Sequence, residues 1–305
     1  MPFRPTSRQL EYLVTLAETG HFGDAARRCA VSQPTLSVQL QQLEQRLGAQ
    51  LFDRGRGGVH LTPAGEKAAG LARRILAGLD DLELSIAGGE ENLGGRIRLG
   101  AAPTFGPYFL PRFLPSLHAE YPTLEVFIRE EPPRFLEASV IDGSVDCAIG
   151  PDPGGDGKFS FQLLLEEELL IGIPADHALA DAQALTADAL AGERMMTLGS
   201  GHRLNEAVHE LAAESGALLR EDYEGTSLDA LRQMVSVGMG LTLFPALYAA
   251  SEFGKQEGVV LRKLDGHKLV RPIGLFWRQG SVRENHYRKL AGMCSQIAGQ
   301  LSQPD

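Results

Sequence analysis

Apolar residues recur every three or four positions through the first part of the chain, which is the pattern of amphipathic helices. The spacing predicts helices over 8–19, 23–29 and 33–47. Ser7 and Ser32 are placed to act as N-caps, because a serine oxygen can accept a hydrogen bond from a free amide of the first turn.

The next segment predicts a hairpin followed by a long helix. Short apolar runs at 51–53 and 59–61 flank a glycine-rich tip, which is typical of a wing. Thr62 and Pro63 suit the start of a helix that continues to about residue 87. A narrow apolar stripe follows this helix at Ala68, Leu71, Ile75, Leu79, Leu82 and Ile86. Such a stripe favours a coiled-coil seam between two copies, and a helix lying on its own domain is the alternative.

Strand and helix patterns alternate beyond the paired glycines of 88–95, so the remainder predicts an α/β fold. Strands are expected at 96–101, 124–130, 147–149, 241–244 and 273–277, with further apolar runs at 163–165 and 169–173. Helices are expected at 107–120, 133–142, 186–190, 204–214, 228–237 and 283–301.

Composition excludes several classes of protein. No apolar run in the 305 residues reaches the roughly 18–20 needed to cross a bilayer, and the start of the chain has no secretion leader, so no membrane role and a cytoplasmic location are expected. Cys29, Cys147 and Cys294 are too scattered for a disulfide framework or a zinc site. We expect all three to be buried structural thiols.

Charge is divided unevenly along the chain. The net charge is −10, but residues 1–65 hold seven Lys/Arg against five Asp/Glu. The first segment is therefore slightly basic on an acidic chain, which is compatible with DNA although it does not establish DNA binding.

A short helix, a tight turn and a helix that begins with a serine cap and Pro34 together predict a helix-turn-helix. The second helix would enter the major groove by its N-terminal end, where amide and hydroxyl side chains can bond base edges. Arginines on the wing and beside the turn suit phosphate contacts, although each residue alone could simply be a solvated helix face. The predicted DNA-binding set is Arg27, Arg28, Ser32, Gln33, Pro34, Thr35, Ser37, Gln39, Arg54 and Arg56.

The segments LEYLVTLAE (10–18), VSQPTLS (31–37), LFDR (51–54) and LTPAG (61–65) resemble LysR-type transcriptional regulators. The resemblance covers residues 7–66 and continues more loosely to the C-terminus. One departure is Val38, where many members of the family carry arginine.

The resemblance implies an α/β chain with an N-terminal all-α winged helix-turn-helix and linker helix, then a two-lobed, periplasmic-binding-protein-like effector domain. It also implies a homodimer or homotetramer on dyad-symmetric double-stranded DNA, activation of transcription with RNA polymerase as a partner, and a small-molecule effector. The corresponding segments are 1–66 for DNA binding, 63–87 for dimerisation, 88–95 for a hinge, 96–166 with 271–305 for lobe I, and 167–270 for lobe II.

Polar residues at strand ends and helix starts would line the cleft between the lobes. The predicted effector set is Thr104, His202, Arg203, Thr226 and Ser227. Arg203 and the amides of a helix start favour a small anion, whereas helix capping is the alternative role for the hydroxyl residues.

Segments 102–108, 198–204 and 225–232 are similar to the peroxide-sensing OxyR subgroup of the family. That subgroup senses peroxide with one cysteine after the histidine and a second nine residues later. Those positions hold Arg203 and Ala212, so the thiol switch is predicted to be lost. A regulator with a small, possibly anionic, ligand is expected, and an oxidative-stress regulator acting without the usual thiol switch is the alternative.

Two other classes are remote alternatives. The sequence contains no nucleophile elbow, P-loop, paired metal ligands or dinucleotide fingerprint, so we expect no enzyme activity, cofactor or metal. A solute-binding protein would not need residues 7–65.

Overall fold

The computed structural model describes residues 4–55, 58–86, 93, 95–155, 157–254 and 258–301. These residues form two compact units, one centred on residues 4–86 and the other on the sheet that follows. Arg56 and most of the predicted hinge lie outside the described residues.

The first unit contains four helices and one hairpin among its described residues. They are α1 Ser7–Thr19, α2 Phe22–Arg28, α3 Gln33–Leu47, β1 Phe52–Gly55, β2 Gly58–Leu61 and α4 Pro63–Ile86. The prediction that Ser7 caps α1 is wrong, because Thr6 is the N-cap and forms a reciprocal capping box with Gln9.

The helices pack around leucines on their inner faces. Leu13, Leu16, Leu36, Leu40 and Leu43 are all buried in this core. The start of α4 lies against the residue preceding the wing, where a Cβ on Gly65 would come within 2.0 Å of the Leu51 carbonyl oxygen. Only glycine permits that close approach.

The apolar stripe of α4 is exposed along its middle. Leu71, Ile75, Leu79 and Leu82 expose 44%, 52%, 41% and 55% of their surface, while Ala68 packs near the core. The described part of the chain therefore leaves four large apolar residues of one helix uncovered, as a seam between two copies requires.

The second unit is an α/β fold. Its strands are β3 Arg96–Ala101, β4 Glu125–Glu130, β5 Cys147–Pro151, β6 Phe159–Pro174, β7 Arg194–Met195, β8 Leu218–Leu219, β9 Thr242–Pro245, β10 Val259–Arg262 and β11 Val270–Arg278. Its helices are α5 Gly106–Glu120, α6 Pro133–Asp142, α7 Arg203–Ser215, α8 Leu228–Ser236, α9 Ala246–Glu252 and α10 Glu284–Leu301.

The main sheet has the strand order β10-β6-β11-β5-β3-β4, with β9 also paired to β6. β3 is parallel to β4 and β5, whereas β11 is antiparallel to both β5 and β6. The separate apolar runs predicted at 163–165 and 169–173 are one 16-residue strand, β6. The charged residues Glu166–Glu168 interrupted the apolar pattern without interrupting the strand.

Two lobes share this sheet, each with its own core. One core is built from residues between Leu169 and Leu264, and the other combines residues 93–149 with 273–298. β6 contributes to both, because Leu169 packs in the first core while Leu165 packs against the second. The predicted segment boundaries of the lobes stay a prediction.

Some short elements differ from expectation. The helix predicted at 186–190 is a single 3₁₀ turn, Ala187–Leu190, and α9, β7, β8 and β10 were not predicted. These elements are two to seven residues long, too short to show a period. None of the helices within the described ranges is long and apolar enough to span a bilayer.

Candidate nucleic-acid interface and effector cleft

The N-terminus of α3 is held by local capping. The Ser32 hydroxyl accepts from the Thr35 amide at 3.2 Å and lies 2.7 Å from the Thr35 hydroxyl, and Pro34 occupies the first turn. Gln33, Pro34 and Thr35 are exposed, as the prediction of a groove-facing surface requires. The fixed helix start presents these side chains on a rigid element.

Two other residues of the predicted DNA-binding set are less available for contact with DNA. Ser37 is half-buried. The Gln39 side-chain oxygen accepts from Gln9 Nε2 at 3.1 Å, so that oxygen ties α3 to α1. Gln39 therefore also has a structural role that the sequence did not indicate.

Two of the predicted phosphate-binding arginines, Arg27 and Arg28, lie beside carboxylates of the same unit. Arg27 pairs with Asp24, and Arg28 Nη1 lies 3.1 Å from Glu18. All of these side chains are at least one-third exposed, so the pairs are weak and can exchange for a phosphate. Arg54 lies in β1 of the wing.

A residue outside the predicted set also lies on the exposed side of α3. Val38 exposes 50% of its surface on the face opposite Leu36, Leu40 and Leu43. The sequence already showed that Val38 departs from the family pattern. Because the valine side chain cannot form hydrogen bonds, it was not included in the predicted DNA-binding set.

Thr104 lies in a buried polar cluster of the second unit, which is the predicted effector unit. Arg271 donates from Nη1 to the Thr104 hydroxyl at 2.8 Å and from Nη2 to the Thr104 carbonyl at 2.9 Å. Arg271 also binds Glu167, and both of these side chains are buried. The sequence did not predict a role for Arg271 or Glu167. Their only signal was that each is a charged residue within a largely apolar strand, β11 and β6 respectively.

His202 is the N-cap residue of α7 and is buried. Burial and the nearby Arg271 guanidinium both lower the pKa of His202, which favours the neutral imidazole. Among the described atoms, its Nδ1 has no hydrogen-bond partner.

Arg203 is the first residue of α7 and lies in an ion-pair cluster. It donates to Glu137 at 2.8 Å, to the Pro153 carbonyl at 2.8 Å and to Glu206 at 3.0 Å. Burial lowers its pKa, but the hydrogen bonds and charges of Glu206 and Glu137 outweigh burial and raise it overall.

The pair between Arg203 and Glu137 joins the two lobes. α7 packs into the core of one lobe through Leu204 and Val208, whereas α6, which carries Glu137, packs through Leu136 beneath the other. An ion pair between the lobes therefore lies at the position where the resemblance predicted the loss of a thiol.

A cavity of about 730 Å³ lies beside this cluster, within the usual range for small-molecule sites. The residues lining it include Arg134, Phe135, His202, Glu224 and Thr226. The structure thus brings two predicted effector residues, His202 and Thr226, to one cavity. Thr104, Arg203 and Ser227 are not among its lining residues, and Ser227 caps α8 by accepting from the Ala230 amide at 3.2 Å.

The cysteines are free thiols. Cys147 and Cys294 are buried, as expected, and burial raises the pKa of both. Cys29 is only partly buried, so the prediction of a buried thiol is wrong for it; it is the C-cap residue of α2 and packs against the core of the first unit without being enclosed by it. Neither buried thiol has the low pKa of a peroxide-reactive cysteine.

Comparison with known proteins agrees with this architecture. Residues 7–66 match the bacterial regulatory helix-turn-helix proteins of the lysR family, and residues 90–298 match the LysR substrate binding domain. The chain is 38% identical over 284 residues to the DNA-binding transcriptional dual regulator OxyR of Escherichia coli, covering 93% of each protein. It is 34% identical to the hydrogen peroxide-inducible genes activator of Haemophilus influenzae, covering 94% of this chain and 95% of that one.

Solved structures give the same result. A full-length OxyR variant from Pseudomonas aeruginosa matches with a TM-score of 0.78 at 27% identity, covering 97% of this chain and 98% of that one. A peroxide-bound OxyR mutant from Corynebacterium glutamicum matches with a TM-score of 0.65 at 32% identity, covering 98% and 96%.

A winged helix-turn-helix joined in one chain to a two-lobed α/β domain defines a DNA-binding transcriptional regulator with an effector domain. The chain belongs to the LysR family, and within it is homologous to OxyR.

Proposed function

We propose that this regulator is an OxyR-like regulator of the oxidative-stress class that acts without the usual thiol switch. Identity of 38% to OxyR along almost the whole chain supports the first part of the proposal. The ion pairs of Arg203, at the position where the subgroup carries its sensor thiol, support the second part.

On DNA, a homodimer would place two α3 helices in successive major grooves about 34–36 Å apart, so the operator would be dyad-symmetric. The exposed stripe of α4 supports pairing of two copies. Transcription activation with RNA polymerase as partner is the corresponding output.

The Arg203 cluster gives a physical reason why peroxide would not change this regulator. A guanidinium is not a nucleophile toward peroxide, and Ala212 supplies no second thiol. The cluster would hold the lobes together by charge, with no thiol that peroxide could oxidise.

We therefore expect the DNA footprint of the purified protein to stay the same after peroxide treatment and after dithiothreitol. The hydrogen peroxide-inducible genes activator of Escherichia coli, treated in parallel, is the positive control. A Cys29→Ser variant separates any oxidation of the partly buried thiol from a true switch. A footprint that peroxide changes and dithiothreitol restores, in both the original chain and this variant, would overturn the proposal.

The cavity favours a second candidate function, response to a small ligand. Arg134 and Glu224 line the cavity. Beside it, the Arg203 guanidinium contacts the carboxylates of Glu137 and Glu206, and Arg134 also contacts Glu206. Because these carboxylates already offset the arginine charge, a small uncharged ligand with an apolar face against Phe135 fits better than the predicted anion.

This second function predicts a ligand that raises the melting temperature of the effector unit. A thermal-shift screen should contain neutral aromatic compounds alongside small carboxylates. Phe135→Ala is expected to abolish the shift, since Phe135 is an exposed aromatic side chain of the cavity lining. Stabilisation by carboxylates that is lost in Arg203→Ala would instead support the anionic ligand.

A further inference from the structure

The outward face of α3 carries an apolar surface at its centre. Val38 lies on the side opposite the buried leucines and has Pro34 one turn before it. Val38 is half-exposed and Pro34 is exposed, so the two form a small apolar strip along the helix.

Polar side chains surround this strip, and some are already engaged within the unit. The Thr35 hydroxyl lies at hydrogen-bond distance from Ser32, and the Gln39 side-chain oxygen binds Gln9. The side chains of this strip can neither donate nor accept a hydrogen bond, so they can recognise only an apolar group of a base.

Only one base presents an apolar group in the major groove, the 5-methyl group of thymine. Val38 is five residues beyond Gln33, which places it about 7.5 Å along the helix, within the roughly 12 Å width of the groove. We propose that Val38, supported by Pro34, contacts a thymine methyl group in each half-site and so helps to determine the preferred operator sequence. This inference rests on DNA binding by α3.

The expected effect follows from burial of one methyl group against the valine side chain. Loss of one such contact corresponds to roughly a fourfold loss of affinity, and loss of both in a symmetric dimer to roughly fifteenfold. Because the methyl group is absent from uracil, deoxyuridine removes that contact while leaving base pairing unchanged.

The experiment starts with double-stranded sites that the full chain selects from a random library. Each thymine of the best site is replaced in turn by deoxyuridine, and binding is measured for the original chain and for Val38→Ala. We expect one thymine per half-site whose replacement weakens the original chain about fourfold and leaves Val38→Ala unaffected. Alanine favours helix more than valine does, so the variant is expected to fold.

Leu47→Ala is the matched control, because Leu47 is the other large exposed apolar residue of α3, at its far end with 45% exposure. It should respond to deoxyuridine as the original chain does. Equal responses of the original chain and Val38→Ala at every thymine would overturn the inference while leaving DNA binding intact. Failure to select any double-stranded site would instead contradict DNA binding itself.

Discussion

Replacing Arg271 by alanine is expected to lower the free energy of unfolding of the effector unit by about 3–5 kcal/mol. The guanidinium donates to Glu167 Oε2 from Nε at 2.8 Å and lies 2.7 Å from it through Nη2. Only 7% of the Arg271 side chain and 1% of the Glu167 side chain are exposed. The variant would leave a carboxylate buried without its counter-ion.

Urea denaturation followed by fluorescence of Trp277 measures this loss, because that residue is buried in the same strand, β11. Lys268→Ala is the control, since its pair with Glu166 is exposed and should contribute less than about 1 kcal/mol. The double variant Arg271→Met, Glu167→Gln removes both charges and should recover much of the stability. Equal midpoints for Arg271→Ala and Lys268→Ala would show that the buried pair is not a stabilising element.

The DNA-binding unit could be predicted closely because its signals are local. Ser32 and Pro34 define the start of α3, and Gly48 ends it with a left-handed backbone conformation. Each signal acts within one turn of helix, so no distant contact can change it. Residue spacing likewise predicted the apolar stripe of α4, although its exposure is known only from the structure.

The effector cleft could be predicted only in part, because its contacts join residues far apart in the sequence. Thr104 and Arg271 are separated by 167 positions, and Arg203 and Glu137 by 66. The family resemblance identified Arg203 as unusual but could not show that carboxylates from two helices offset its charge. For this reason the ion pairs of Arg203 support the proposed uncharged ligand over the anion that the residue types alone indicated.

The second large effect is expected at the α4 stripe. Ile75→Glu should convert a dimer into a monomer, because two seams brought together would bury a charge from each copy where the original chain buries apolar side chains. Leu71 and Leu79 lie one turn on either side of Ile75, so the introduced carboxylate would lie between apolar side chains of the stripe. We expect DNA affinity to fall at least a hundredfold, since two half-sites bound separately lose the advantage of linkage.

Light scattering gives the mass, and titration of a dyad-symmetric site gives the affinity. Leu218→Glu is the control, because Leu218 is an equally exposed leucine, at 55%, but lies in the effector unit away from the stripe. One result would show that α4 is not the dimerisation helix. In that result Ile75→Glu remains dimeric, its DNA affinity is unchanged, and a single half-site binds as tightly as the full site. Loss of both dimer and affinity in Ile75→Glu alone would mean that DNA recognition by α3 depends on the pairing of two α4 helices.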